Sequence, residues 1–169
     1  MSIVFEIGIT ENKNNKIEKK ETVEVVASKG IIGDRYFQDF NGNREQITLI
    51  ESENIDYYNK NFNTNFSYLD FRRNLVTKDI ELNGLIGKTI QVGKIKLKAN
   101  DLCRPCKNLQ NRLGQSNIIK EFLKRGGLRC EILTSGFINV GDKIINLWIK
   151  KYFYLLQLYC LLNYLDMGL

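Results

Sequence analysis

The chain has 169 residues, 43% of them hydrophobic, with 25 Lys and Arg against 19 Asp and Glu. That is one domain's length with apolar content enough for a core, which excludes a largely disordered chain and a pair of large domains. The formal charge of +6 comes from basic residues scattered among asparagines, so it specifies no nucleic-acid partner; the absence of histidine excludes an imidazole base and any histidine-ligated metal site.

The N-terminal Met1–Glu6 segment has neither a basic run nor a long apolar stretch, and the cysteines, Cys103, Cys106, Cys130 and Cys160, are four. A reducing, cytoplasmic setting is the expectation. Ile3, Phe5, Ile7 and Ile9 recur at period two and predict a half-buried strand with the odd positions inward. After a polar turn at Glu11–Lys16, Val23 and Val25 mark a second strand over 22–27. Gly30-Ile31-Ile32-Gly33-Asp34-Arg35 is a loop whose glycines permit unusual backbone angles.

A strand at Gln46–Ile50 leads into a short helix that Ser52 is expected to cap. Strand character resumes over Phe71–Thr77. Asn83-Gly84 and Gly93 are turns around the strands 89–92 and 95–99; in the latter Lys94, Lys96 and Lys98 face water while Ile95, Leu97 and Ala99 face inward. Ser116 is expected to cap a helix to Lys124, ended by Gly126-Gly127. Leu128, Cys130 and Ile132 alternate as a strand, and Ser135-Gly136 and Gly141-Asp142 punctuate the last two. Many short strands with glycine turns and few helices predict a mainly β, α+β fold built as a mostly antiparallel barrel.

Residues 148–169 differ in kind. Tyr152–Leu165 carries no charge and is apolar nearly all round, yet it is shorter than the roughly 20 residues a spanning helix needs. Packing on the barrel or self-association is expected, ahead of an interfacial helix with Lys150 and Lys151 at the headgroups.

The densest chemical signal is Cys103-Arg104-Pro105-Cys106-Lys107, which holds the chain's single proline. Thiolate is the reactive form of cysteine, neighbouring cations favour it, and the proline stiffens its presentation. A lone CxxC pair falls short of the four ligands of a structural zinc site and lacks a thioredoxin-type setting. A redox-idle pair is an equal reading of these residues alone. Arg72-Arg73-Asn74, with Thr77 beyond, offers one guanidinium to a phosphate, because adjacent strand residues point to opposite faces. Arg125-Gly126-Gly127 offers backbone amides to an anion or simply ends a helix.

Taken in order, Gly30–Arg35, Arg44-Glu45-Gln46-Ile47-Thr48-Leu49-Ile50, Phe71–Val76, Leu85-Ile86-Gly87-Lys88, Cys103–Cys106, Arg125–Arg129 and Val140-Gly141-Asp142 resemble the MOSC domain family. This is the module named for the C-terminus of molybdenum cofactor sulfurase, here in its short bacterial stand-alone form. The resemblance covers nearly all of 1–147, leaving 148–169 as a separate apolar tail. It implies a β-barrel similar to the barrel domain of pyruvate kinase, with a few short helices, and a pocket for the molybdenum cofactor (molybdopterin). The family's metal-ligating cysteine maps onto Cys106, with Cys103 second. Its pterin phosphate contact maps onto Arg73 and Asn74, and Thr77, Arg125, Gly126 and Gly127 are further candidates. The activity implied is reduction of N-hydroxylated small molecules with electrons from a partner reductase; the alternative is a sulfur carrier loaded as a cysteine persulfide by a cysteine desulfurase. Where the family commonly reads Gly-Asp-Arg-His, this chain has Tyr36.

Overall fold

The structure is a computed structural model and describes residues 1–37 and 45–147. In chain order the elements are β1 (Ile3–Ile9), β2 (Glu18–Lys20), β3 (Thr22–Val26), β4 (Gly30–Ile31), β5 (Ile47–Glu51), α1 (Ser52–Phe62), β6 (Leu75–Lys78), β7 (Thr89–Val92) and β8 (Ile95–Leu102). They continue with α2 (Lys107–Leu113), α3 (Ile118–Glu121), β9 (Leu128–Ile132), β10 (Gly136–Asn139) and β11 (Ile144–Asn146). An eight-stranded sheet runs β11-β7-β8-β9-β5-β6-β1-β2, and β10-β3-β4 form a smaller one.

The large sheet curls back on itself. Ile3 bridges Lys143, the Val4 amide donates to the Asp142 carbonyl at 2.9 Å, and the Ile144 amide donates to Ser2. The mainly β, α+β expectation holds. Inside the curl lie Val4, Ile7, Leu49, Leu75, Leu97, Leu128 and Cys130. A second apolar cluster, with Ile50, Tyr58, Phe71, Val76 and Phe122, sits between the sheet and the helices. Adjacent residues of β5 and β6 thus reach opposite cores, as expected for the parallel pair these two strands form around the α1 crossover.

Four local expectations need correction. A β-bulge between Val4 and Glu6 shifts the phase of β1, so Val4, Ile7 and Ile9 are buried in the inner core while Phe5 packs against the outer cluster. Ser52 is the first helical residue of α1 rather than its cap; Glu51 holds that position and makes no side-chain capping bond. Phe71 closes a 3-10 turn begun at Tyr68, and Arg72 follows in the left-handed region at φ 58°, so the strand starts only at Leu75. The Ser116–Lys124 helix shortens to α3, with Asn117 at its N-cap, whereas the unpredicted α2 follows Cys106 directly. The alternation in β3, β8 and β9 is as read, with Val23, Val25, Ile95, Leu97, Ala99, Leu128, Cys130 and Ile132 all buried.

Candidate functional site

At one end of the curled sheet the 30–37 loop, the start of β5, the 71–74 turn and the segment joining β8 to α2 surround a cleft of about 200 Å³. Arg35, Tyr36, Glu45, Thr48, Arg72, Arg73, Asn74, Cys103, Arg104, Cys106 and Arg129 line it. Five of these are arginines and one is a carboxylate. Such a concentration of cationic side chains gives the concave wall a positive potential of the kind that favours anions.

Buried polar bonds set the walls. Asn74 Oδ1 accepts from the Thr48 amide at 3.0 Å and from its hydroxyl at 2.8 Å; Asn74 Nδ2 donates to Asp34 at 3.3 Å. Asp34 in turn accepts the Thr10 and Tyr36 amides. This network ties β1, β5 and the 71–74 turn to the glycine loop, and so fixes where Arg35 stands. Arg73 is buried and donates to three carbonyls: Nε to Gly126 at 2.9 Å, Nη1 to Phe71 at 3.0 Å and Nη2 to Cys103 at 3.1 Å. The Cys103 amide donates to the Gly127 carbonyl at 2.7 Å. A Cβ on Gly126 would collide with the Cys103 carbonyl, and one on Gly127 (φ +87°) with the Leu49 carbonyl. The glycine pair is therefore a close-approach device that lets β5 and the cysteine segment meet.

The two thiols differ. Cys103 is buried, Cys106 exposed at the N-cap of α2, and both face the cleft. Arg129 donates from Nη1 to Glu45 at 2.6 Å. Burial works against its charge, but hydrogen bonding and attraction to the Cys103 sulfur, then to Glu45, outweigh this and raise it above the usual arginine value. Cys130, on the neighbouring core face of β9, is pushed up to about 12 by burial and then by Cys103.

Arg35 supplies the least satisfied group. Its Nε and Nη1 are buried and have no hydrogen-bond partner among the described residues, while its guanidinium lies 4.5 Å from the Tyr36 ring centroid. Unpaired buried donors are costly, a cost that an acceptor oxygen reaching them would remove. Tyr36 thus forms a wall that stacks on Arg35.

Of the residues expected from sequence, the structure brings Cys103, Cys106, Arg73 and Asn74 to one cleft, although Arg73 and Asn74 hold main chain there. Gly126 and Gly127 stand behind the wall. Thr77 lies outside, fully buried, with its hydroxyl donating to the Ile50 carbonyl. Arg125 also lies outside, 4.2 Å from the Tyr57 ring centroid on another face. Arg72 and Arg73 do line one cleft, against the strand argument, because the left-handed turn at Arg72 breaks the alternation. Sequence reasoning gave no site role to Arg35 or Arg129, and the residues alone left open which of Arg72 and Arg73 would meet a phosphate. The signal for Arg35 was its place after two turn glycines; Arg129 needs the β8–β9 bulge between Ala99 and Asp101 to set it opposite Asp101. Arg44 and Cys160 lie outside the described residues.

The solved structures that resemble this one share its fold at low identity. The YuaD protein from Bacillus subtilis superposes with a TM-score of 0.74 at 17% identity, over 85% of this chain and 94% of that one. YiiM from Geobacillus stearothermophilus gives 0.71 at 14%, over 86% and 75%, and YiiM from Escherichia coli 0.66 at 15%, over 86% and 70%. No curated protein matches the chain. The model of the MOSC domain matches residues 38–145, well over half of the sequence, and the chain belongs to the MOSC domain family.

Proposed function

We propose that the cleft binds the molybdenum cofactor, with the Cys106 thiolate as a protein ligand to the metal, and that the protein reduces N-hydroxylated small molecules using electrons from a separate reductase. The observation that carries this reading is an exposed thiol in the same cleft as the unpartnered Nε and Nη1 of Arg35. The residues fit such a group. Among the described residues no three His, Cys, Asp or Glu side chains are arranged to hold a bare metal ion, so a metal here brings ligands of its own and takes one sulfur from the chain. When bound, the cofactor supplies the two-electron redox chemistry.

The chain's own part is positional and electrostatic. Arg35, with Arg72 and Arg104 beside it, holds the anionic end. Arg73, through the Cys103 carbonyl, and the Gly126-Gly127 pair fix the segment that carries Cys106. Arg129 lies against the Cys103 sulfur and Glu45 on the same wall. The test is elemental analysis for molybdenum on protein made in a host that synthesises the cofactor, comparing wild type with Cys106→Ser. Stoichiometric metal in the wild type, lost in the variant, is expected; no metal in folded wild type overturns the reading.

Two thiols in one cleft favour a second reading, a sulfur carrier. Here the Cys106 thiolate takes the terminal sulfur of a desulfurase persulfide, forming one S–S bond as the donor's breaks and its thiolate leaves. A gain of one sulfur mass on Cys106 after incubation with a cysteine desulfurase and cysteine is its expected result; an unchanged mass rules it out.

A further inference from the structure

The cleft is small. Sites that enclose a drug-sized ligand measure roughly 300–1,000 Å³, whereas this one is about 200 Å³, so it grips one end of its ligand. Its Arg72 wall is shared with a second groove of about 440 Å³, lined on the far side by Ile17, Leu69, Arg112 and Leu113. Arg72 is the one lining residue the two have in common, and cleft and groove taken together make a trough with that arginine between them.

Three guanidiniums along the trough feel one another. Burial, then Arg35, then Arg112 push Arg72 below the usual arginine value. The carboxylates nearby are engaged: Asp70 accepts the Ser67 amide in a capping box, and Glu6 accepts from Lys19 at 2.7 Å. Arg72 and Arg112 are also held in place. Arg72 donates from Nη1 to the Asn15 carbonyl and from Nη2 to Lys13, and Arg112 donates to the same Lys13 carbonyl at 3.3 Å. A guanidinium has five N–H donors, so among the described residues both keep several without a partner, in an orientation set before any ligand arrives. Like charges fixed side by side are a standing cost that a bridging anion removes.

We infer that the trough takes a diphosphate ester: one phosphate at Arg35 in the cleft, the second between Arg72 and Arg112, and the remaining organic group on the apolar floor of Ile17, Leu69 and Leu113. This rests on the anion-binding reading of the cleft and assigns its ligand a second charged group and a direction. Arg112 lines the groove and not the cleft, which separates the two claims.

Calorimetric titration of the full chain at fixed ionic strength with ADP, AMP and inorganic phosphate tests it, alongside Arg112→Gln and Arg35→Gln. ADP is expected to bind about tenfold tighter than AMP, a difference of about 1.4 kcal/mol. Arg112→Gln, at an exposed position, should abolish that difference and leave phosphate binding unchanged, while Arg35→Gln weakens all three. Equal affinities for ADP and AMP, or an ADP affinity indifferent to Arg112, overturn the second subsite and leave the cleft intact. Failure of all three anions to bind overturns both.

Discussion

Arg73 shows how far a side chain's role can lie from its sequence neighbours. Its guanidinium gathers carbonyls from positions 71, 103 and 126, and nothing near position 73 announces the last two. Removing it strips donors from several buried acceptors, each worth about 1–3 kcal/mol. Arg73→Ala should lose roughly 3 kcal/mol or more in urea unfolding, a larger loss than an anion-binding arginine on an open surface would give. The cysteines sort by environment in the same way. At pH 8 iodoacetamide should alkylate the exposed Cys106 of folded protein and leave Cys130, whose thiol is pushed up to about 12, unmodified; peptide mapping reads this directly. The cysteine motif was visible in the sequence, but which thiol faces solvent was not, because that depends on β9 and Arg129 packing behind Cys103.

Among the elements, the strands with clean alternation were legible and the irregular joints were not. β3, β9 and the 95–99 stretch of β8 bury every second residue and could be read from that pattern alone. In β1 one bulge shifts the phase, and in α2 only Leu109 and Leu113 mark an apolar face across seven residues, too short a window for a helical period. The joint of β5 and α1 carries a pH signature. Glu51 is buried, which raises its carboxyl above the ordinary 4.5 despite bonds from the Leu82 amide and Asn54. The folded state then holds the proton more tightly than the unfolded chain. Stability from this group is full below pH 4.5 and is lost as pH rises through the raised folded value. Relative to Glu51→Gln, the wild type should therefore weaken as pH rises above 4.5; parallel stability–pH curves from denaturant titrations would contradict the burial argument.

For the molecule as a whole, the fold class followed from turn spacing and the family from an ordered set of short segments, while the cleft required closure of the sheet. The 30–37 loop, the 71–74 turn and the cysteine segment are distant in sequence and meet only because β5 stands between β6 and β9. The contact of Ile3 with Lys143 has a further consequence. It brings the start of the first strand beside the start of the last, so the backbone of residues 1–147 is nearly a ring. A few glycine and serine residues joining 147 to 1, with new ends opened in the turn between Val92 and Ile95, should yield a circular permutant that folds and keeps the same anion affinities. By the same geometry, labels at Ser2 and Lys143 report on one corner of the molecule.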